Sequence, residues 1–190
     1  MRALVAIALS AVLPFPVLPA GEIELISVSS AGVLADDLSF DGTVSDDGRY
    51  VAFDSDAANL APGDTNGTAD VFLRDRQLGT TVRLSIGWDG TDPDQGATSP
   101  SISRDGRYVA FASRSANIVP GDTNTTRDVF VRDRVAGTTT RIGHDPDDSS
   151  WVGHLSRDGT LLTFSSWATN LVPADTNDAP DIFAIAPGCR

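Results

Sequence analysis

The chain has little of what most enzymes and nucleic-acid binders are built from. A single cysteine, Cys189, leaves no partner for an internal disulfide. Basic residues are few, 14 Lys and Arg against 26 Asp and Glu, for a net charge of -12. That balance excludes the basic face which displaces counterions from phosphate, so no nucleic acid is expected as a partner. It suits an exported protein kept soluble by its acids, or one that attracts cations. No segment beyond the N-terminus is apolar enough to span a membrane, and no helical period of any length appears. The serines form no G-x-S-x-G elbow. The two histidines, His144 and His154, fall in different segments of the pattern described below and do not read as a metal or catalytic pair. Paired carboxylates are plentiful only because Asp is, and none is singled out for acid–base work.

What the N-terminus does have is an address. Arg2 precedes an apolar run from Ala3 to Leu13, followed by Pro14, Pro16, Pro19 and Ala20. A short positive start, an apolar centre and a small residue before Gly21 read as a secretory signal covering residues 1–20. The run is too short for a comfortable membrane span. A secreted or periplasmic location in the bacterial envelope is expected.

The rest of the chain repeats. DGRYVAFDSDAANLAPGDTNGTADVFLRDR at 47–76 recurs as DGRYVAFASRSANIVPGDTNTTRDVFVRDR at 105–134, and in degraded form as DGTLLTFSSWATNLVPADTNDAPDIF at 158–183. The equivalent Gly48, Gly106 and Gly159 are 58 and then 53 residues apart, and 43–85 matches 101–143 at 27 of 43 positions. Self-similarity at that level means one supersecondary unit used three times, at approximately 41–85, 98–143 and 150–190. Each unit reads as four strands. The first lies near 43–45, 101–103 or 152–156, and an Asp-Gly pair then predicts a two-residue hairpin turn. The second (49–53, 107–112, 161–164) and third (70–74, 128–132, 181–184) are nearly continuous apolar runs, as expected for strands buried on both faces. The fourth (80–85, 138–142) alternates polar and apolar residues, as an outer strand does.

A four-stranded antiparallel unit of this length, buried on both faces and repeated, is a propeller blade. The motif SxDGRYVAFxSxxxNxVPGDTNxxxDVFVRDRxxGTTTR resembles the repeat of TolB-like, WD-repeat-like β-propeller proteins of bacteria. It covers nearly all of the chain after residue 20. The third copy departs from it, with Ala174 for the motif Gly and Ile185-Ala186-Pro187 for Arg-Asp-Arg. The resemblance implies an all-β fold of three four-stranded blades and protein–protein contact in a bacterial envelope.

The third unit lacks its fourth strand, whereas residues 23–27 (IELIS) precede the first unit and align with the fourth strands. Twelve strands are therefore expected, offset by one. Three blades do not close a ring, for which about four to eight are typical. One expectation is a head-to-tail homodimer of six blades in which 23–27 of each chain pairs with the third strand of the other's last blade. The alternative is a fragment of a longer propeller.

Two sets of loops are predicted to share one rim. Inter-blade loops carry Asp36, Asp37 and Asp41, then Asp89, Asp92 and Asp94, then Asp145, Asp147 and Asp148. Intra-blade loops carry three DTN motifs: Asp64, Asn66 and Asp70; Asp122, Asn124 and Asp128; Asp175, Asn177 and Asp181. Oxygens at i and i+2 plus a later carboxylate suit a hard cation such as Ca2+, though no closing Glu follows. The same residues also suit a loop that folds on its own side chains. Trp88, Trp151 and Trp167 lie in or beside these loops, as caps between blades or as stacking platforms for a carbohydrate. The Arg-Asp-Arg runs at 74–76 and 132–134 are expected at the opposite rim as cross-strand charge pairs. Together these features point to a non-enzymatic binding or scaffold module whose acidic rim meets a cation or a protein partner. A carbohydrate-binding module is the alternative.

Overall fold

The computed structural model describes residues 18–143, 146–173 and 175–187. The expected signal falls almost entirely outside these residues, as do His144, Asp145 and Cys189. The described residues hold eleven strands and no helix: β1(Ser39–Val44), β2(Tyr50–Ser55), β3(Asp70–Asp75), β4(Thr80–Arg83), β5(Ala97–Ile102), β6(Tyr108–Ser113), β7(Asp128–Asp133), β8(Thr138–Ile142), β9(Ser150–Leu155), β10(Leu162–Ser166) and β11(Asp181–Ile185). They form antiparallel sheets in chain order, β1 to β4, β5 to β8 and β9 to β11. These are three consecutive blades of a propeller, the last open at the edge of β11.

The apolar runs dictate the blades. Alternate residues of β2 and β3 face opposite ways, so Ala52, Val71 and Leu73 cover one face and Phe53 and Phe72 the other. Directly paired phenylalanines stack at the middle of each blade: Phe53 on Phe72, Phe111 on Phe130 and Phe164 on Phe183, with centroids 5.5–5.8 Å apart. The core lies between the blades. Val71, Leu73 and Leu84 of the first blade meet Ile102, Phe111, Ile118 and Phe130 of the second. Ala110, Val129, Val131 and Ile142 of the second meet Leu155, Leu162 and Phe164 of the third. A tyrosine seals each junction. Tyr50 lies over Gly106 and Tyr108 over Gly159, so closely that a Cβ on either glycine would fall 2.2 or 2.6 Å from the ring. Arg134 also stacks on the Tyr50 ring, 4.2 Å from its centroid.

Three expectations need correction. The Asp-Gly pair does not make a two-residue turn. Only the glycine has positive φ (72° at Gly48, 69° at Gly106), and the loop is wider. Gly48 N–H donates to the Ser45 carbonyl, Ser45 Oγ donates to Asp47, and the Arg49 amide donates to the same carboxylate. The Ser and Asp side chains supply the turn that Asp-Gly supplies alone in a shorter hairpin. Second, the first strands start earlier, at Ser39, Ala97 and Ser150. Register irregularities between Phe40 and Thr43 and between Thr98 and Ser101, with Asp41 and Ser99 at positive φ, are bulges. They hide the alternation that marks a strand and accommodate Pro100, which lacks the donor a regular ladder needs.

Third, residues 23–27 make no ladder within the chain, so eleven strands are described rather than twelve. The segment nevertheless stands in a fourth strand's place. Residues 26–36 repeat the hydrogen bonding of 84–94: Val28 N–H to the Ile26 carbonyl as Ile86 to Leu84, Ser29 to Val33 as Gly87 to Thr91, and Gly32 to Ser29 as Gly90 to Gly87. The Asp36 amide meets Asn59 as the Asp94 amide meets Asn117. Ile26 packs on Phe53, Leu60 and Phe72 of the first blade, where Leu84 packs on Phe111, Ile118 and Phe130 of the second. What is absent is the third strand that would lie beside it.

Candidate functional site

Each DTN loop first folds on itself. The Asn66 side chain accepts from the Thr68 amide and donates to Asp70. Asn124 accepts from Thr126, while Asn177 accepts from Ala179 and donates to Asp181. Asn66 and Asn177 thus tie their loops to the first residue of the third strand, and at that position Asp70 and Asp128 are fully buried.

Buried carboxylates need a counter-charge, and in the first two blades it is an arginine. The chain has no lysine, so every basic side chain is a guanidinium. Arg83, from β4, lies 3.2 Å from both Asp64 and Asp70 and also bonds Asp92. Arg141, from β8, lies 2.6 Å from Asp122 and 3.5 Å from Asp128. Ser85 adds a 2.6 Å hydrogen bond to Asp70. Even so, burial pushes the Asp70 carboxyl up to about 6, against the pull of Ser85 and Arg83. Burial, with Asp122 alongside, does the same to Asp128. The two arginines are the residues the sequence reading missed. Their signal was present in TTVR and TTTR, where one arginine recurs at the same place in an outer strand.

The third blade has the same acids without the arginine. Asp175, Asn177 and Asp181 line an open cleft of about 470 Å³ with Val172, Pro173, Thr176, Ile182 and Phe183. In the ladders Arg83 stands opposite Phe72 and Arg141 opposite Phe130. The corresponding place, opposite Phe183, lies along the free edge of β11. Among the described residues no ion pair is formed by Asp175 or Asp181, and no group of three or more His, Cys, Asp and Glu is arranged to hold a metal ion.

The other rim residues are largely committed to the scaffold. Asp36, Asp94 and Asp147 accept from the amides of Ala58, Ala116 and Thr169, latching each inter-blade loop onto the next blade. Asp92 accepts from the Thr65 amide and hydroxyl, and Asp89 from Thr91. Trp88 is exposed and lines a separate cleft with Ile118, Pro120 and Arg132. Trp151 lies within β9 and is half-buried, while Trp167 follows β10 and is exposed. His154 is exposed on β9. In the Arg-Asp-Arg runs, Asp75 takes Arg49 at 2.7 Å and Asp133 takes Arg107 at 2.8 Å, both across neighbouring strands.

The geometry has parallels among solved structures. TolB from Acinetobacter baumannii superposes with a TM-score of 0.51 at 18% identity, over 80% of this chain and 31% of that one. The fold is that of a TolB-like propeller. The tricorn protease (TM-score 0.48, 13% identity, 76% of this chain and 12% of that one) and a prolyl endopeptidase (0.45, 19%, 80% and 20%) are more distant matches. The chain thus spans about a third of TolB's length. No protein-family model and no curated protein matches it.

Proposed function

We propose that the chain is an exported, non-enzymatic binding or scaffold module, and that it binds by taking a polypeptide strand along the free edge of β11. The observation that carries this reading is the vacancy in the repeat. Two sockets of Asp, Asn and Asp hold an arginine delivered by the strand beside them, and the third has the acids and an open strand edge. An added strand gains main-chain hydrogen bonds along its length and specificity from the pockets it fills. Here the pocket favours a guanidinium, the planar cation that pairs best with carboxylates, without requiring one for the strand to add. On this reading the cation that suits the third socket is an arginine and not Ca2+, and chelator leaves strand binding unchanged.

The test uses the chain's own fourth strand as probe. A labelled peptide of residues 137–143, GTTTRIG, is titrated into monomeric protein and followed by fluorescence anisotropy. Saturable binding is expected. Replacing its arginine by leucine, or Asp181→Asn in the protein, weakens binding by about tenfold, the loss of one charge-assisted contact. Equal binding of the arginine and leucine peptides, or none of either, overturns the reading.

A further inference from the structure

We infer that the strand is supplied by residues 23–27 of a second copy of this chain, so that two chains close head to tail into a six-bladed ring. The inference rests on the strand-accepting reading above and names the partner. Each end of the chain carries half of the junction found twice inside it.

At the leading end, residues 24–36 stand where a preceding blade's fourth strand belongs, without a third strand beside them. At the trailing end, β11 is a third strand without a fourth. Internal pairing of Val129 with Ile142 and Phe130 with Arg141 sets the register between copies: Ile182 opposite Ile26, Phe183 opposite Leu25 and Ala184 opposite Glu24. The faces match as well. Val44 corresponds to Ile102 and Leu155; those two are 8% and 7% exposed against 56% for Val44. Ile182 corresponds to Val71 and Val129, both fully buried, yet is 77% exposed. Leu161 stands where Tyr50 and Tyr108 stand and is exposed, while Gly48, counterpart of the Gly106 and Gly159 beneath those tyrosines, has no ring over it. Placing Leu161 of one copy on Gly48 of the other repeats the internal seal. The main chain continues the same way. Asp46 donates to the Arg104 carbonyl and Arg104 to that of Arg157, so Arg157 would donate to Asp46 of the second copy. A surface whose two ends are complementary either closes or propagates, and two sets of three blades fall within the range that closes.

The leading segment departs from the internal strands at one place. Leu25 occupies the position of Arg83 and Arg141, so the junction between copies lacks the guanidinium that both internal sockets contain. That gives a diagnostic experiment. The association constant of the purified chain is measured by sedimentation equilibrium. A dimer is expected, and Leu25→Arg tightens it by about tenfold, because the new guanidinium enters between Asp175 and Asp181 of the second copy. Adding Asp181→Asn removes most of that gain. Ile182→Asp, exposed in the single chain and therefore harmless to its folding, abolishes pairing. A monomer for both the native chain and Leu25→Arg overturns the inference. If that monomer still binds the 137–143 peptide, the strand-accepting reading survives and the partner is another protein; if it binds nothing, both fall. A dimer indifferent to Ile182→Asp and Leu25→Arg also overturns it, since the contact would lie elsewhere.

Discussion

Asp54 shows how a single buried acid shapes the behaviour of the chain. It is 3% exposed at the end of β2, its contact being the Ser99 amide at the bulge of the next blade. Burial pushes its carboxyl up to about 6, with Asp41 and Asp56 adding to the rise. A folded value above the unfolded one, about 3.9, means that the native state holds the proton more tightly. The stabilisation is complete below the unfolded value and is lost as pH rises through about 6. Asp70 and Asp128 act in the same direction. Acids such as Asp133, held down by Arg107, act in the opposite direction and have given their gain by about pH 4. Stability should therefore peak between about pH 4 and 5 and decline towards 7. Asp54→Asn should reduce that decline, as read from urea midpoints at the two ends. Glycines divide just as sharply. Gly106 and Gly63 both have positive φ, but a Cβ at Gly63 meets nothing within 4 Å. Gly63→Ala should cost about 1 kcal/mol for the left-handed backbone alone. Gly106→Ala, which drives a methyl into the Tyr50 ring, should cost about 3 kcal/mol by thermal or denaturant unfolding.

The outer strands of the two complete blades each bring an arginine to buried acids. β4 is only four residues long, yet its Arg83 pairs with Asp64, Asp70 and Asp92 at once. Arg83→Leu strands two buried carboxylates and should destabilise the fold by about 3–5 kcal/mol near neutrality. The loss should shrink below about pH 6, where Asp70 takes up a proton. A purely packing role for Arg83 would give the same loss at both pH values, so denaturant unfolding at pH 5 and pH 8 separates the two. The strands themselves were legible where residues are buried on both faces, because YVAF and DVFL admit little else. They were misjudged where a bulge interrupts alternation, at Asp41 and Ser99, and at the Asp-Gly turns, where side-chain hydrogen bonds replace a backbone preference.

In the proposed assembly, charge works against pairing. Each copy carries -12, and like charges repel over about 10 Å at 0.1 M salt. Raising the ionic strength from about 0.01 to 0.2 M should therefore strengthen the dimer, the reverse of what an ion-paired interface shows. Leu25→Arg, which inserts an intermolecular ion pair, should flatten that dependence. Sedimentation across a salt series measures both.

The three-fold repeat and the blades were written in residue order, because each depends on local pattern: period-two burial, turn residues and a motif that recurs. Which charges meet was legible only for the Arg-Asp-Arg runs. Asp64 lies on a loop, Asp70 opens the strand after it and Arg83 lies on the strand that returns to them; Asp46 meets Arg157 across 111 positions of chain. Such pairings depend on how strands fold back and on how much water each group loses, and both become definite only when the blades pack against one another. The same packing makes the third socket stand out: its residues repeat those of the first two, and only the absent neighbouring strand leaves them open.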